Sequence, residues 1–597
     1  MVSGRFVSDF FRLSLIEYIR RLVMKNFFKK HQYFFQIVLI LAASVLMIYP
    51  QVYLRGVVIG SDAMFHFNRF YDASEQIKNG NFQYFITMYG FQQSGRIVNA
   101  LYGPMFAYFQ GILVLLSNSW FQYQIISNYI IFMISGISMF VLLRKFSLNG
   151  WLSAGIGIFF MTTYPIQYWV DQQGLSAWPS AILPLCLIPL IKLVESKELS
   201  ILGTGIAISI MFQIHVLSTL FLVLIYFIFF IVIFFKSDNK KELIKNLFLA
   251  VLLFLLLTMN VWANMLDIYR YNELVPPFLN NHMENNTITA NSSYWIKYPI
   301  FLPILFALFF CLLLNKRNVL PYFVKISGFI IISFTIIASN FIPWKLLSNL
   351  QNPILGLLQF PFRFIVFPIV LLLISLAIIV SSIKNIRVSK PFYLILLLII
   401  ALSQTVYENT SKMLDWHRSE TAVNRRVHSY VFIDDEKKMQ DQLFSRNKKE
   451  ILISFQKSAP DYLPLYKNDT SSKYDAYGND IIIRNQDFTK KIVNNQLHVY
   501  WNGDSERLVN VPIIKYERTE LNLNGDRVTK ENSKVSTIGV LSVKQKNGEN
   551  ELIVSYNTPW FFIYTLLIPL LIWSLIIVRY FRKFFLRMTK VLLQNTN

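Results

Sequence analysis

Apolar residues arrive along this chain in continuous runs of roughly 15 to 20, not at the every-third-or-fourth spacing of a water-facing helix. Wound as helices, such runs match the hydrocarbon thickness of a bilayer. Lipid leaves backbone groups satisfied only in helices or closed barrels, and the runs lack the in–out alternation of barrel strands. The pattern therefore predicts transmembrane helices at about 33–50, 124–143, 151–164, 179–194, 201–215, 217–235, 243–262, 299–314, 322–338, 364–383, 392–407 and 560–578, about twelve crossings. The run at 103–117 is short and flanked by aromatics, and reads as an interfacial or re-entrant helix.

Between the last two runs the pattern changes. Residues 408–558 are polar, and their second half alternates apolar and polar positions with the two-residue period of strands, as in "LVNVPIIKYERTELNLNG" and "VSTIGVLSVKQKNGENELIVSYN". Asn524-Gly525 and Lys546-Asn547-Gly548 supply hairpin turn chemistry. This predicts a small β-sandwich-like domain tethered by a span at each end. The expected division is 1–32, a basic cytoplasmic N-terminus; 33–407, the transmembrane module with a large first outer loop at 51–123; 408–558, the β-rich domain; 559–579, the final helix; and 580–597, a basic tail.

Charge orients this threading. The formal net charge of +23 would suit nucleic acid, but it falls in short clusters beside apolar runs: Arg20-Arg21, Arg144-Lys145, Lys240-Lys241, Lys316-Arg317, Lys384 with Arg387, and Arg582-Lys583. Such clusters mark cytoplasmic loops and suit an anionic inner leaflet of membrane lipids. Both termini are then cytoplasmic and the long loops lie outside, where chemistry is expected. No nucleic-acid partner is implied. Hydrophobic residues make up 54% of the chain and its mean hydropathy is +0.43. Cys186 and Cys311 lie inside apolar runs and read as small hydrophobes. The long basic N-terminus lacks a convincing cleavage site, which favours a retained anchor.

The chain has no Walker loop, dinucleotide fingerprint, HExxH or paired CxxC. What stands out is "GSDAMFHFNRF" after the first run. As a helix it places Asp62, His66 and Arg69 on one face, and ionisable groups at a bilayer edge are costly unless paired, wet or used. The same spacing also fits an exposed loop with an ordinary intrahelical ion pair. Asp171, in "YPIQYWVDQQG", is a second candidate carboxylate or a group for binding the acceptor. In "LLQFPFRFIVFP", Gln359 and Arg363 interrupt the approach to a span, and Arg363 sits on the side that basic residues avoid, which calls for an anionic partner or for snorkelling towards lipid headgroups. His215, alone among apolar residues, reads as a packing residue, and Asp267, Arg270 and Glu273 read as an ion-paired helix end. His282, His417 and His428 form no spaced metal set. No metal site or cofactor is predicted, and a divalent cation is left open.

The "GSDAMFHFNRF" segment, the mid-chain "LQFPFRF" and the late β-rich stretch before a final span together resemble bacterial YfhO-like membrane proteins of the GT-C glycosyltransferase superfamily, also catalogued as 6-pyruvoyl-tetrahydropterin-synthase-related membrane proteins. The resemblance implies a GT-C-like α-helical polytopic fold and sugar transfer outside the cytoplasmic membrane. The donor would be a polyprenyl-phosphate sugar and the acceptor a cell-wall glycopolymer such as teichoic acid. Asp62 then matches the first-loop catalytic base, and Arg363 the position near the lipid phosphate. His66, Arg69, Asp171 and Gln359 complete the expected substrate-binding set. The acidic pair of some GT-C members is absent, since Asp72 lies ten residues beyond Asp62. A transporter or flippase of lipid-linked saccharides, and a glycopolymer polymerase, remain alternatives.

Overall fold

The computed structural model describes residues 31–595, apart from 173–174, 290–295, 316–317, 351, 383–388, 424–426 and 468–470. The basic clusters at 20–30, 316–317 and 384–387 lie outside the described residues.

Seven helices among the described residues are long and apolar enough to cross a membrane: Gln32–Leu54, Trp120–Lys145, Ala177–Ser196, Val216–Lys236, Pro361–Ser382, Phe392–Arg418 and Phe562–Lys583. The pair Lys240–Leu257 and Met259–Tyr271, bent by 73° at Thr258, makes an eighth if counted as one span. Four other expected crossings form helices of 12 to 17 residues: Gly150–Met161, Ile201–Ile214, Leu302–Asn315 and Tyr322–Ala338. By length and composition, seven or eight of the twelve expected crossings are supported among the described residues. The run at 103–117 folds as a 12-residue helix, Pro104–Leu115, packed on Ala63–Asn79.

Packing sorts the spans into central and peripheral. Pro361–Ser382 is 83% buried along its apolar window, whereas Phe392–Arg418 and Phe562–Lys583 are 11% buried. The first span shows the usual two-faced compromise: Ile40, Ala43 and Met47 face the bundle, while Phe34, Leu39 and Val45 are exposed. Trp120–Lys145 packs tightly on Gly150–Met161. A Cβ at Gly157 would lie 2.6 Å from the Gly136 carbonyl oxygen, so small residues let these backbones approach.

The C-terminal region is β-rich, as expected, and consists of antiparallel strands in separate sheets. A five-stranded sheet runs Thr489–Val493, Gln496–Gly503, Gly548–Tyr556, Thr519–Leu523, Asp526–Arg527. A three-stranded sheet runs Leu508–Ile514, Val540–Lys544, Ser533–Val535. Asn524-Gly525 makes the expected hairpin turn, with φ of 55° and 97°. Lys546-Asn547-Gly548 does not: the strands it joins lie in different sheets, so it is a crossover. A second tight hairpin forms instead at Asn494-Asn495, with φ of 50° and 62°, which Asn tolerates.

The β core is not made by its own strands alone. Ile86 and Met88 from the first loop pack among Leu497, Val499, Val511 and Val554. Tyr84, Phe85 and Ile97 join Tyr477, Ile514 and Tyr516 in an adjoining cluster. The fully buried Arg96 donates to the carbonyls of Ala459 (2.8 Å) and Asp461 (2.5 Å) and lies over the rings of Phe91 and Tyr477. The first loop is thus the seam between the helical bundle and the β region.

Candidate active site

Asp62 is the N-cap residue of Ala63–Asn79, but its carboxylate makes no capping hydrogen bond. The chain reaches it through Gly60, where a Cβ would lie 1.7 Å from the Gln172 carbonyl oxygen, so only glycine admits this approach. From the other side Lys457 donates to the Ser61 carbonyl. The ionisable groups electrostatically coupled to Asp62 come from distant parts of the chain: the charged Arg363 at the start of Pro361–Ser382 and Asp461 near the β sheets, and the neutral phenols of Tyr102 in the first loop and Tyr474.

His66 lies one turn further along the same helix. It is 8% exposed, stacks on Phe70 (5.6 Å, 19°) and Tyr102 (6.3 Å, 23°), and its Nδ1 has no hydrogen-bond partner among the described residues. Burial, then the nearby Arg69 and His215, push its pKa well below the ordinary imidazole value, so the ring is neutral. It lines a cavity with Gln124, Asn128, Gln172 and Trp178.

Arg69 shares the helix, and most of its donors are taken up by the protein, although Nη1 is buried with no hydrogen-bond partner among the described residues. Its guanidinium donates to Asn99 Oδ1 (3.2 Å), to the Gly103 carbonyl (2.9 Å) and to the Tyr102 carbonyl, and lies 4.6 Å from the Tyr102 ring centroid. At 1% exposure it clamps the 99–103 loop, and burial brings its pKa down to about 10. That loop is itself seated: a Cβ at Gly103, whose φ is +43°, would lie 1.9 Å from the Gln213 carbonyl. Asp72 is likewise committed. It is fully buried, with Oδ1 accepting from the amides of Met88, Tyr89 and Gly90 and Oδ2 accepting from Gln76.

Arg363 sits in a 3-10 turn, Pro361–Ile365, that opens the most buried span. Gln359 orients it: Oε1 accepts from Arg363 Nη1 (2.8 Å) while Nε2 donates to the Phe278 carbonyl (2.7 Å). Gln359 takes a φ of +53°, a conformation costly for a residue with a Cβ and found where tertiary contacts impose it. Arg363 lines a second cavity with His215, Ser176, Ser180, Trp169 and Phe221. Asp171 does not join this group. Its carboxylate pairs with Lys412, and burial raises its pKa while Lys412 opposes the rise. Its neighbour Gln172 is the residue that reaches a cavity.

The structure therefore brings Asp62, His66, Gln359 and Arg363 together at one end of the bundle, with Arg69 as a support. It adds Tyr102, His215, Gln172 and Asp461, which sequence reasoning did not assign to the site. His215 was visible as a lone polar residue among apolar ones. Asp461 carried no signal, because its neighbours are all far away in sequence. No group of three or more His, Cys, Asp or Glu residues arranged to hold a metal occurs among the described residues.

No protein-family model matches this chain, and no curated protein matches it. Among solved structures it is similar to the archaeal oligosaccharyltransferase AglB from Archaeoglobus fulgidus, solved with an inhibitory peptide and a dolichol-phosphate. The two share 12% identity at a TM-score of 0.29 over 65% of this chain, which spans 56% of the length of that protein.

Proposed function

We propose that this chain is a membrane glycosyltransferase of the GT-C kind. It would move a sugar from a polyprenyl-phosphate donor to a hydroxyl of a cell-wall glycopolymer on the extracytoplasmic face. The observation that supports this most is the pairing of Asp62 and Arg363. One comes from the first loop and the other from the turn that opens the most buried span, yet each lies in the field of the other. Arg363 also lines a cavity.

That arrangement supplies what transfer from a phosphosugar needs. Asp62 takes the proton of the acceptor hydroxyl as its oxygen bonds to the anomeric carbon. The bond from that carbon to the phosphate oxygen breaks, and the electron pair leaves with the phosphate, whose charge Arg363 offsets. Attack from the face opposite the phosphate inverts the anomeric centre. Gln359 holds the guanidinium in place, and the neutral His66 lines the neighbouring chamber beside Asp62.

The test is incubation of the purified protein with defined polyprenyl-phosphate sugars and a wall-polymer acceptor. Sugar released from the lipid and joined to the polymer is expected. Movement of intact lipid-linked sugar across vesicles, with no cleavage, would instead make the chain a flippase.

A further inference from the structure

We propose that His215 is a second phosphate-binding residue, a neutral Nε2–H donor facing the same lipid-linked phosphate as Arg363. This rests on the glycosyltransferase reading above and adds a residue to it.

The argument starts from the backbone. His215 stands between Ile201–Ile214 and Val216–Lys236 and serves both helices. Its N–H donates to the Met211 carbonyl (2.8 Å), and its own carbonyl accepts from the Thr219 amide (3.1 Å). Its side chain is the N-cap of the second helix: Nδ1 accepts from the Ser218 amide (3.2 Å) and lies 2.8 Å from Ser218 Oγ. A backbone amide can only donate, so Nδ1 carries a lone pair and the neutral ring holds its proton on Nε2. Protonating the ring fully would break the cap.

A cap alone does not call for histidine. Asn, Asp, Ser and Thr do that work with a short side chain. The imidazole brings a second nitrogen on the far side of the ring, and the residue lines the cavity that holds Arg363. Tyr102 packs edge-on against the ring at 6.3 Å and keeps it from turning.

The rest of the cavity favours an anion. Two helices begin at its wall, Ala177–Cys186 with Ser176 and Ser180 and Val216–Lys236 with Leu217 and Ser218, and the first turns of the Pro361–Ser382 span line it with Val366 and Phe367. The two N-termini add partial positive charge to that of Arg363. Arg363 supplies the formal charge, and His215 supplies a fixed direction without a second cation to repel it. The ligand class is a phosphate oxygen, carried either on a polyprenyl chain or as free phosphate.

His215→Asn separates the two jobs, since an amide oxygen can still cap Ser218 while the ring N–H is gone. Binding of a short-chain polyprenyl phosphate to the full-length protein in detergent is the readout, with inorganic phosphate as competitor. A hydrogen bond to a charged group is worth roughly 10- to 100-fold in affinity. The Asn variant should therefore bind at least about tenfold more weakly at unchanged thermal stability, and His215→Asp, which keeps the cap but adds a negative charge, more weakly still. Displacement of the lipid by inorganic phosphate, itself weakened in His215→Asn, would mark the free ion as sufficient; no displacement would mark the lipid-linked form. Unchanged binding in both His215 variants would overturn the proposal. If Arg363→Ala also bound normally, the phosphate reading of the cavity would fall with it.

Discussion

Arg69, buried, and Arg363, half-buried, lie at the same end of the bundle in opposite circumstances. Arg69 lies on the amphipathic helix of the first loop, and its donors go to Asn99 and to the carbonyls of Tyr102 and Gly103. Arg363 opens the most buried span, is held by a single glutamine side chain, and faces a cavity. Both met the same criterion in the sequence, an arginine where lipid makes charge costly. What separates them is whether the local backbone already consumes the donors. Under the proposed function, Arg69 would build the site and Arg363 would serve it.

The contrast can be broken or sharpened by substitution. The largest effect is expected at Asp62, whose charge acts on Arg363. Asp62→Asn is nearly isosteric, so donor binding should persist while sugar transfer falls by about 10²- to 10⁴-fold; near-normal transfer would remove Asp62 from the base role. Next come the arginines themselves. Arg69→Ala should lower stability by at least about 3 kcal/mol, because several charge-assisted hydrogen bonds are lost together, while the protein that does fold keeps its donor affinity. Arg363→Ala should do the reverse, weakening donor use by about 10- to 100-fold with little loss of stability, and Arg363→Lys should recover only part because ammonium lacks the planar fork. Identical profiles for the two alanine variants would erase the distinction.

Smaller effects test the acids that the structure sets apart. Asp171→Asn should leave transfer nearly intact and cost on the order of 1 kcal/mol, since Lys412 is partly exposed. Asp72 adds a dependence on pH. Burial pushes its carboxyl up to about 6, against the opposing hydrogen bonds of three amides and Gln76. A carboxyl raised on folding binds its proton more tightly when folded, so its contribution is fully present below about pH 4, the unfolded value, and is lost as pH rises through about 6. Wild-type thermal stability should decline across that window, and Asp72→Asn should flatten the decline.

Much of the architecture was readable before any coordinates. The apolar runs, the β-rich stretch ahead of the last helix and the Asn524-Gly525 turn are local signals and appear where expected. The turn at 546–548 was misjudged because hairpin and crossover share the same glycine chemistry, and only strand pairing tells them apart. The site was half legible. Asp62, His66 and Arg363 stood out as polar residues in apolar surroundings. Asp461 and Gln172 did not, since each matters only through a neighbour hundreds of residues away or across a packed helix.

Hydrophobic thickness and the need to satisfy backbone groups act on one segment at a time. The places where this chain can cross lipid, and the sharp break to strands at its end, are therefore written in the order of its residues. Which polar groups are spent and which remain for chemistry is not written that way. It depends on which other stretch of chain arrives beside them: the 99–103 loop reaches Arg69, the 88–90 amides reach Asp72, Lys412 reaches Asp171, and Arg363, held by Gln359 and in the field of Asp62, also lines a cavity. Buried polar groups must find partners somewhere, and packing at long range settles which of them keep a face for a ligand.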